Sequence, residues 1–95
     1  MTEAVAIRKV FIRDNKQCVE IVISIFRPVL KSDEIATCLV KFSGLQRYDA
    51  ELSGVDEINA LECAISYVSK ICRENAEPKF FWELADCLID NDELS

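Results

Sequence analysis

Five carboxylates crowd the C-terminal stretch FFWELADCLIDNDELS, which contains no basic residue. Carboxylates can perform acid–base chemistry or bind calcium, and both uses need further groups at fixed spacing. The ending DNDELS has the alternating acids of a calcium loop but lacks its glycine and its full length. Two interpretations remain, a surface that binds a partner or the solvated face of a helix. The five carboxylates are Glu83, Asp86, Asp90, Asp92 and Glu93.

Other kinds of catalytic chemistry lack their usual residues. The chain has no histidine, which removes Ser-His and Cys-His sites and the commonest transition-metal ligand. Its two glycines, Gly44 and Gly54, cannot build a phosphate cradle. Asp49 and Glu51 alternate along one strand, which is typical of a solvated sheet face. We therefore predict no catalytic residue, no metal site and no cofactor, so the chain is not expected to be an enzyme.

Three aromatic residues directly precede the acidic stretch. Aromatic side chains beside charges are frequent in protein interfaces. Phe81 is expected to pack on the sheet, and Phe80 and Trp82 cannot both share its inward direction. The predicted partner-binding residues are therefore Phe80 and Trp82 together with the five carboxylates.

The charge distribution indicates the kind of partner. Residues 83–95 contain five carboxylates, whereas residues 1–82 contain 11 basic and 12 acidic side chains, so the C-terminal end supplies nearly all of the net charge of −6. Binding to nucleic acid needs a basic surface, so no direct nucleic-acid contact is expected. A basic protein partner fits an acidic patch.

The expected compartment is the cytoplasm. No apolar run approaches the length of a bilayer span, and charges interrupt the apolar N-terminal stretch, so we expect neither membrane insertion nor a secretion signal. Five cysteines, an odd number without a C-x-x-C pair, are expected to be small buried apolar groups in a reducing compartment. They are Cys18, Cys38, Cys63, Cys72 and Cys87.

The first elements of the chain that could position these residues are strands. Runs of β-branched residues predict four of them, at about residues 4–13, 17–27, 34–43 and 46–53. Asp14-Asn15-Lys16 reads as a short hairpin turn, and Pro28 is expected to break the second strand. Ile21, Ile23 and Ile25 share one face of that strand. Sequential strands with short links predict an antiparallel meander.

A long helix is predicted at about residues 56–74, with Asp56 as its N-cap. Its expected inward face repeats at spacings of three and four and consists of Ile58, Leu61, Ile65, Val68 and Cys72. One helix is about 10 Å wide and leaves part of a four-stranded sheet uncovered. A second apolar element should therefore cover the rest.

The C-terminal segment, about residues 79–89, is predicted to be that second cover. A helix beside the long helix would direct Phe81, Leu84, Ala85 and Leu88 inward, before an acidic tail at residues 90–95. A strand over KFFWEL is the competing prediction, because aromatic residues favour strands. The predicted fold is one α+β domain, residues 1–95, in which a four-stranded antiparallel meander carries a long helix and a shorter C-terminal helix on one face.

The stretch GVDEINALECAISYV resembles a small bacterial family of unknown function, whose members have a strand meander before a Gly-Val-Asp helix start. The matching positions are Gly54, Val55, Asp56, Ala60 and Leu61. IFRP and ATCLVKF resemble the second and third strands of that family. The likeness covers about residues 5–75 and supports the fold without implying chemistry.

By type, the chain is similar to the immunity proteins of bacterial contact-dependent or secreted toxins, which are small, acidic and cytosolic. That similarity implies a non-enzymatic protein that neutralises a cognate basic toxin, such as a nuclease, through an acidic surface. The alternative is a structural or regulatory domain, such as a homodimer formed through an open sheet edge or face.

Overall fold

The computed structural model describes residues 3–93, with side chains as far as residue 89. An antiparallel sheet is followed by a long and a shorter helix, which confirms the predicted α+β class. A 3-10 turn, Gln46–Tyr48, lies between the last two strands. The strands are β1 (Ala4–Asp14), β2 (Gln17–Phe26), β3 (Val29–Ser32), β4 (Ile35–Phe42) and β5 (Ala50–Gly54), and the helices are α1 (Glu57–Glu74) and α2 (Leu84–Glu93).

The first hairpin forms as the sequence predicts. Asp14 pairs with Gln17, so a two-residue turn joins β1 and β2. Asn15 and Lys16 both have positive φ, 50° and 68°. Two consecutive residues with positive φ form a tight turn whose twist matches that of the flanking strands.

The second predicted strand forms as β2 and ends at Phe26, and an unpredicted short strand, β3, follows it. β2 pairs with β4 from Ile23 to Ile25, and β3 pairs further along the same edge of β4 at Val29 and Leu30. Pro28 separates the two because it has no N–H to donate to the ladder. The break was predicted, but the resumption of the strand as β3 was not. The meander order β1, β2 with β3, β4, β5 is otherwise as expected.

The last strand starts later than predicted. The 3-10 turn occupies the beginning of the expected range 46–53, and β5 begins at Ala50. The Phe42 N–H donates to Asp49 Oδ1 at 2.7 Å, which ties the end of β4 to the residue before β5. The hydrogen bond to Asp49 stabilises this connection, in which the 3-10 turn takes the place of the expected start of the strand.

Helix α1 covers one face of the sheet, and Asp56 caps it as predicted, accepting from the Asn59 N–H at 2.7 Å. Its inward face is rotated from the prediction, because Ile58 and Ile65 are exposed. Small residues on α1 allow the close approach of its backbone to Gly54 on β5. The buried α1 residues are Ala60, Ala64, Val68 and Cys72, which pack against Val10, Ile12, Ile21, Ile23, Ile25, Ala36, Cys38, Val40 and Phe42.

Helix α2 does not lie beside α1. Cys18 on β2 and Cys87 on α2 form a disulfide. Since side chains alternate along a strand, Cys18 projects from the face opposite Ile21 and Ile23. Phe81 and Cys87 are buried but do not belong to the core beneath α1. The shorter helix therefore contacts β1 and β2 on the sheet face that α1 leaves uncovered.

Candidate partner-binding site

The approach to α2 is fixed by one short backbone bridge. The Phe11 N–H donates to the Phe81 carbonyl, and the Phe81 N–H donates to the Phe11 carbonyl, both at 2.8 Å. Phe81 thus adds a single strand-like residue to the outer edge of β1. The competing strand prediction is correct for this bridge, whereas the helix prediction is correct from Leu84 onward. The chain crosses the sheet edge here, which separates α2 from α1.

Phe80 is part of the core. Its ring centroid lies 6.2 Å from that of Phe42 and 6.1 Å from that of Tyr48. Its side chain is buried. The prediction that Phe80 contacts a partner is therefore wrong, because its ring fills the space between the sheet and the 3-10 turn.

Trp82 has the opposite environment. Its side chain is 53% exposed, and the Arg8 guanidinium lies 4.1 Å from the ring centroid. One guanidinium nitrogen of Arg8 is buried and has no hydrogen-bond partner in the described part of the chain. The guanidinium instead makes a cation–π contact with the face of the Trp82 indole. This stacking orders the indole while leaving much of its surface open. Trp82 remains a candidate contact residue.

Helix α2 turns most of its apolar side chains outward. Cys87 is fully buried against the sheet, whereas Leu84, Leu88 and Ile89 are each about half exposed, Leu88 by 46%. Leu84 and Leu88 are neighbours at i,i+4 and make one ridge. The prediction that Leu84, Ala85 and Leu88 point inward is wrong. The disulfide at Cys87 decides which side of α2 meets the sheet, and that side carries few apolar residues.

The carboxylates nearest Trp82 are exposed. Within the described residues, neither Glu83 nor Asp86 has an ion-pair partner. At about 100° per residue, Asp86 lies on one flank of Cys87 and the Leu84–Leu88 ridge on the other. Both carboxylates lie at the N-terminal end of α2, where the helix dipole favours negative charge. Folding alone is therefore compatible with acids at these two positions.

The other predicted acids belong to the C-terminal part of α2. Asp90, Asp92 and Glu93 lie within the helix, but their side chains are outside the described residues, as are residues 94 and 95. The last turn of α2 contains no basic residue. Carboxylates in a last turn are unfavourable to the helix dipole, so helix stability does not account for acids at these positions.

The pKa values of Cys38 and Tyr67 are both raised, and both residues lie away from α2. Burial raises the pKa of the Cys38 thiol, whose S–H donates to the Phe26 carbonyl at 3.2 Å. Burial, then the Asp49 carboxylate and Tyr48, raise the pKa of Tyr67, whose O–H donates to the Tyr48 carbonyl at 2.6 Å. Between residues 3 and 89, no group of three potential ligands is placed to hold a metal ion. In the same range, no helix is long and apolar enough to cross a membrane.

Some of the site could not be found in the sequence. Pairing of Cys18 with Cys87 cannot be deduced from cysteine spacing, because an odd set of five permits many connectivities. The expectation that all five cysteines are packing groups is wrong for this pair. The sequence gives no signal for Arg8 either, because its contact with Trp82 forms only where the chain crosses the β1 edge. Comparison with known proteins adds no further residue: no protein family, no curated protein and no solved structure matches this chain.

Proposed function

We propose that this protein is a non-enzymatic binding protein that contacts a basic protein partner through its α2 surface. We define the α2 surface as the exposed side chains of Glu83, Leu84, Asp86, Leu88 and Ile89, and we add Trp82, which adjoins α2 in the chain but stacks on Arg8 on the α1 side of the sheet. The observation that carries the proposal is the outward position of α2's apolar side chains. A helix that only covered the sheet would bury Leu84 and Leu88.

The chemistry of the α2 surface suits a basic partner. An exposed indole and an aliphatic ridge provide anchors that lose water on binding, and such anchors supply most of the affinity of an interface. Glu83 and Asp86 are free of ion pairs in the described part of the chain, so they can attract cationic groups. Exposed charges mainly raise the association rate and determine which partner is selected.

Toxin neutralisation is the role that we assign to this surface. It rests on the likeness by type to immunity proteins, whereas the Gly-Val-Asp resemblance stays a proposal that bears on the fold alone. The carboxylates of the α2 surface can occupy the cationic groove in which a nuclease holds phosphates. The cognate partner would then be a basic toxin, and neutralisation would need no catalysis, cofactor or metal.

The compartment proposed for this role is the cytoplasm. Disulfides persist in oxidising compartments and are rare in a reducing cytosol. In the cytoplasm Cys18 and Cys87 would therefore be two thiols in contact, and α2 would be held by packing and by the bridge between Phe11 and Phe81. The side chains of the α2 surface flank Cys87 or lie opposite it, and none of them takes part in the disulfide, so the surface does not require the oxidised form.

The test is affinity capture from the native lysate, with the wild-type chain and a Glu83→Lys/Asp86→Lys variant compared by quantitative mass spectrometry. We expect one basic protein on the wild type, less of it as salt rises, and little on the variant. The matched control is Asp33→Lys/Glu34→Lys, which makes the same charge change at the exposed β3–β4 turn. Equal capture by both double variants would reject the α2 surface.

Trp82→Ala and Leu88→Ala separate the anchors from the charges. With a purified partner, we expect both variants to dissociate faster while associating at nearly the wild-type rate, because hot-spot truncation acts mainly on dissociation. Unchanged dissociation in both would contradict the anchor role.

A further inference from the structure

An apolar groove lies between helix α1 and strand β1. The sequence predicts that a second helix covers this part of the sheet, but α2 lies on the opposite face. The groove has a volume of about 140 Å³. We call it the Arg8 groove, and its lining side chains come from β1, β2 and α1: Ala6, Arg8, Ile23, Ile25, Ile65 and Val68.

The size of the Arg8 groove limits what it can hold. Ile23 and Ile25 of β2 are buried and form its floor, whereas Ile65 of α1 is 48% exposed and lies at its rim. An apolar cavity of about 150 Å³ accommodates a molecule of the size of benzene. The groove therefore has room for one short apolar group, of about six carbon atoms, and not for a long acyl chain.

Arg8 determines the charge of the groove. It is the single charged residue among the described residues that line it. Its guanidinium lies 4.1 Å from the centroid of the Trp82 ring, so the indole holds the guanidinium in place. Within residues 3–89, no hydrogen bond or ion pair joins this guanidinium to another residue. Nη1 is buried, and Nε with Nη2 forms the other edge, which can pair with a carboxylate through two parallel hydrogen bonds.

We propose that the Arg8 groove binds a small free monocarboxylate with a short apolar group, such as hexanoate. The apolar group would lie on Ile23 and Ile25 and lose its contact with water, which supplies affinity. The carboxylate would accept two hydrogen bonds from Arg8 beside Trp82, which selects an acid over a neutral molecule of the same length. This site goes beyond the proposed function, because it needs neither a protein partner nor the carboxylates of α2.

An NMR titration of the full ¹⁵N-labelled chain with sodium hexanoate, at constant ionic strength, tests the site. We expect saturable shifts of the Arg8, Ile65 and Val68 amides, with a dissociation constant of about 1 mM or lower. Hexan-1-ol, which has the same length and no charge, should bind at least about tenfold more weakly. Shifts that do not saturate, or equal binding of hexan-1-ol and hexanoate, would overturn the proposal.

Substitutions locate the binding. Arg8→Gln should weaken hexanoate binding at least about tenfold and leave hexan-1-ol binding unchanged. Arg47→Gln is its control, because Arg47 also lies over an aromatic ring, 5.1 Å from that of Tyr48, and does not line the groove. Ile65→Glu places a like charge at the rim and should abolish hexanoate binding, whereas Ile58→Glu, at an exposed α1 position outside the groove, should not. With folding checked by circular dichroism, wild-type affinity in Arg8→Gln and Ile65→Glu would overturn the site.

A polypeptide C-terminus presents the same chemistry as a free acid. A Gly-Gly-Leu tripeptide with a free carboxyl group and the same peptide with an amide therefore form a second arm of the titration. Hexanoate should bind more tightly than either peptide. Tighter binding of the free peptide than of hexanoate would overturn the assignment to a small free acid and assign the groove to a chain terminus instead.

Discussion

Cys18 and Cys87, 69 positions apart in sequence, join the second strand to the last helix across the face of the sheet that α1 does not cover, with their Cα atoms 6.2 Å apart. This bond and the bridge between Phe11 and Phe81 locate α2. The remaining apolar residues of α2 are mostly outward. The same geometry therefore attaches the helix and leaves its outer ridge available for a partner.

The disulfide should contribute measurably to stability when it is formed. Cys87→Ala should lower the free energy of unfolding by about 2–4 kcal/mol in non-reducing buffer, because the link closes a long loop in the unfolded chain. Urea unfolding followed by circular dichroism measures this. Cys63→Ala, at a free and half-buried thiol, is the control. Addition of a dithiol reductant should remove most of the difference, and a difference that persists would exclude the covalent link as its source.

Trp82 should report the stacking on Arg8. It is the single tryptophan of the chain, so its fluorescence is unambiguous. Arg8→Ala should increase quenching by acrylamide and cost about 0.5–1 kcal/mol of stability, because the indole loses the guanidinium against its face. Lys9→Ala, the next residue on the strand, should change neither quantity. Equal quenching in wild type and Arg8→Ala would show that the contact does not order the ring.

The parts of the fold that the sequence predicted correctly depend on local chemistry. The turn at Asn15 and Lys16, the break at Pro28 and the cap at Asp56 each follow from what one or two residues permit. The shared face of Ile21, Ile23 and Ile25 on β2 likewise needs only the period of a strand. Each of these features can be recognised in a short stretch of sequence, without knowledge of the rest of the chain.

The parts that it missed depend on contacts between distant segments. The inward face of α1 is set by Gly54 against Ala60, and apolar periodicity alone could not choose Ala60 over Ile58. The side of α2 that meets the sheet is set by Cys87, whose partner lies in β2. Leu84 and Leu88 looked like core residues because helical spacing identifies an apolar ridge without saying whether anything covers it.

Gly54 should not tolerate a side chain. A Cβ at this position would overlap the Ala60 backbone, lying 2.8 Å from its Cα. Gly54→Ala should therefore push α1 away from β5 and lower stability by about 1–3 kcal/mol, the usual cost of overpacking. Thermal and urea unfolding check this, with Ser53→Ala on the exposed face of the same strand as control. A Gly54→Ala protein as stable as wild type would show that the helix can shift without loss of packing.

Stability should fall at high pH through Tyr67. Burial, with help from Asp49 and Tyr48, raises the pKa of this phenol above the ordinary value of 10.0, so folding favours its neutral form. That contribution to stability is fully present below the ordinary pKa and is lost as pH rises through the raised pKa.

Tyr67→Phe deletes the hydrogen bond to the Tyr48 carbonyl and should cost about 1 kcal/mol at neutral pH. Because phenylalanine cannot ionise, the stability gap between the two proteins should narrow above pH 10.0. Urea unfolding at neutral and alkaline pH measures the gap, and the difference between their absorbance titrations at the phenolate band isolates Tyr67. A gap that stays constant across this range would mean that Tyr67 ionises as easily in the folded chain as in the unfolded one.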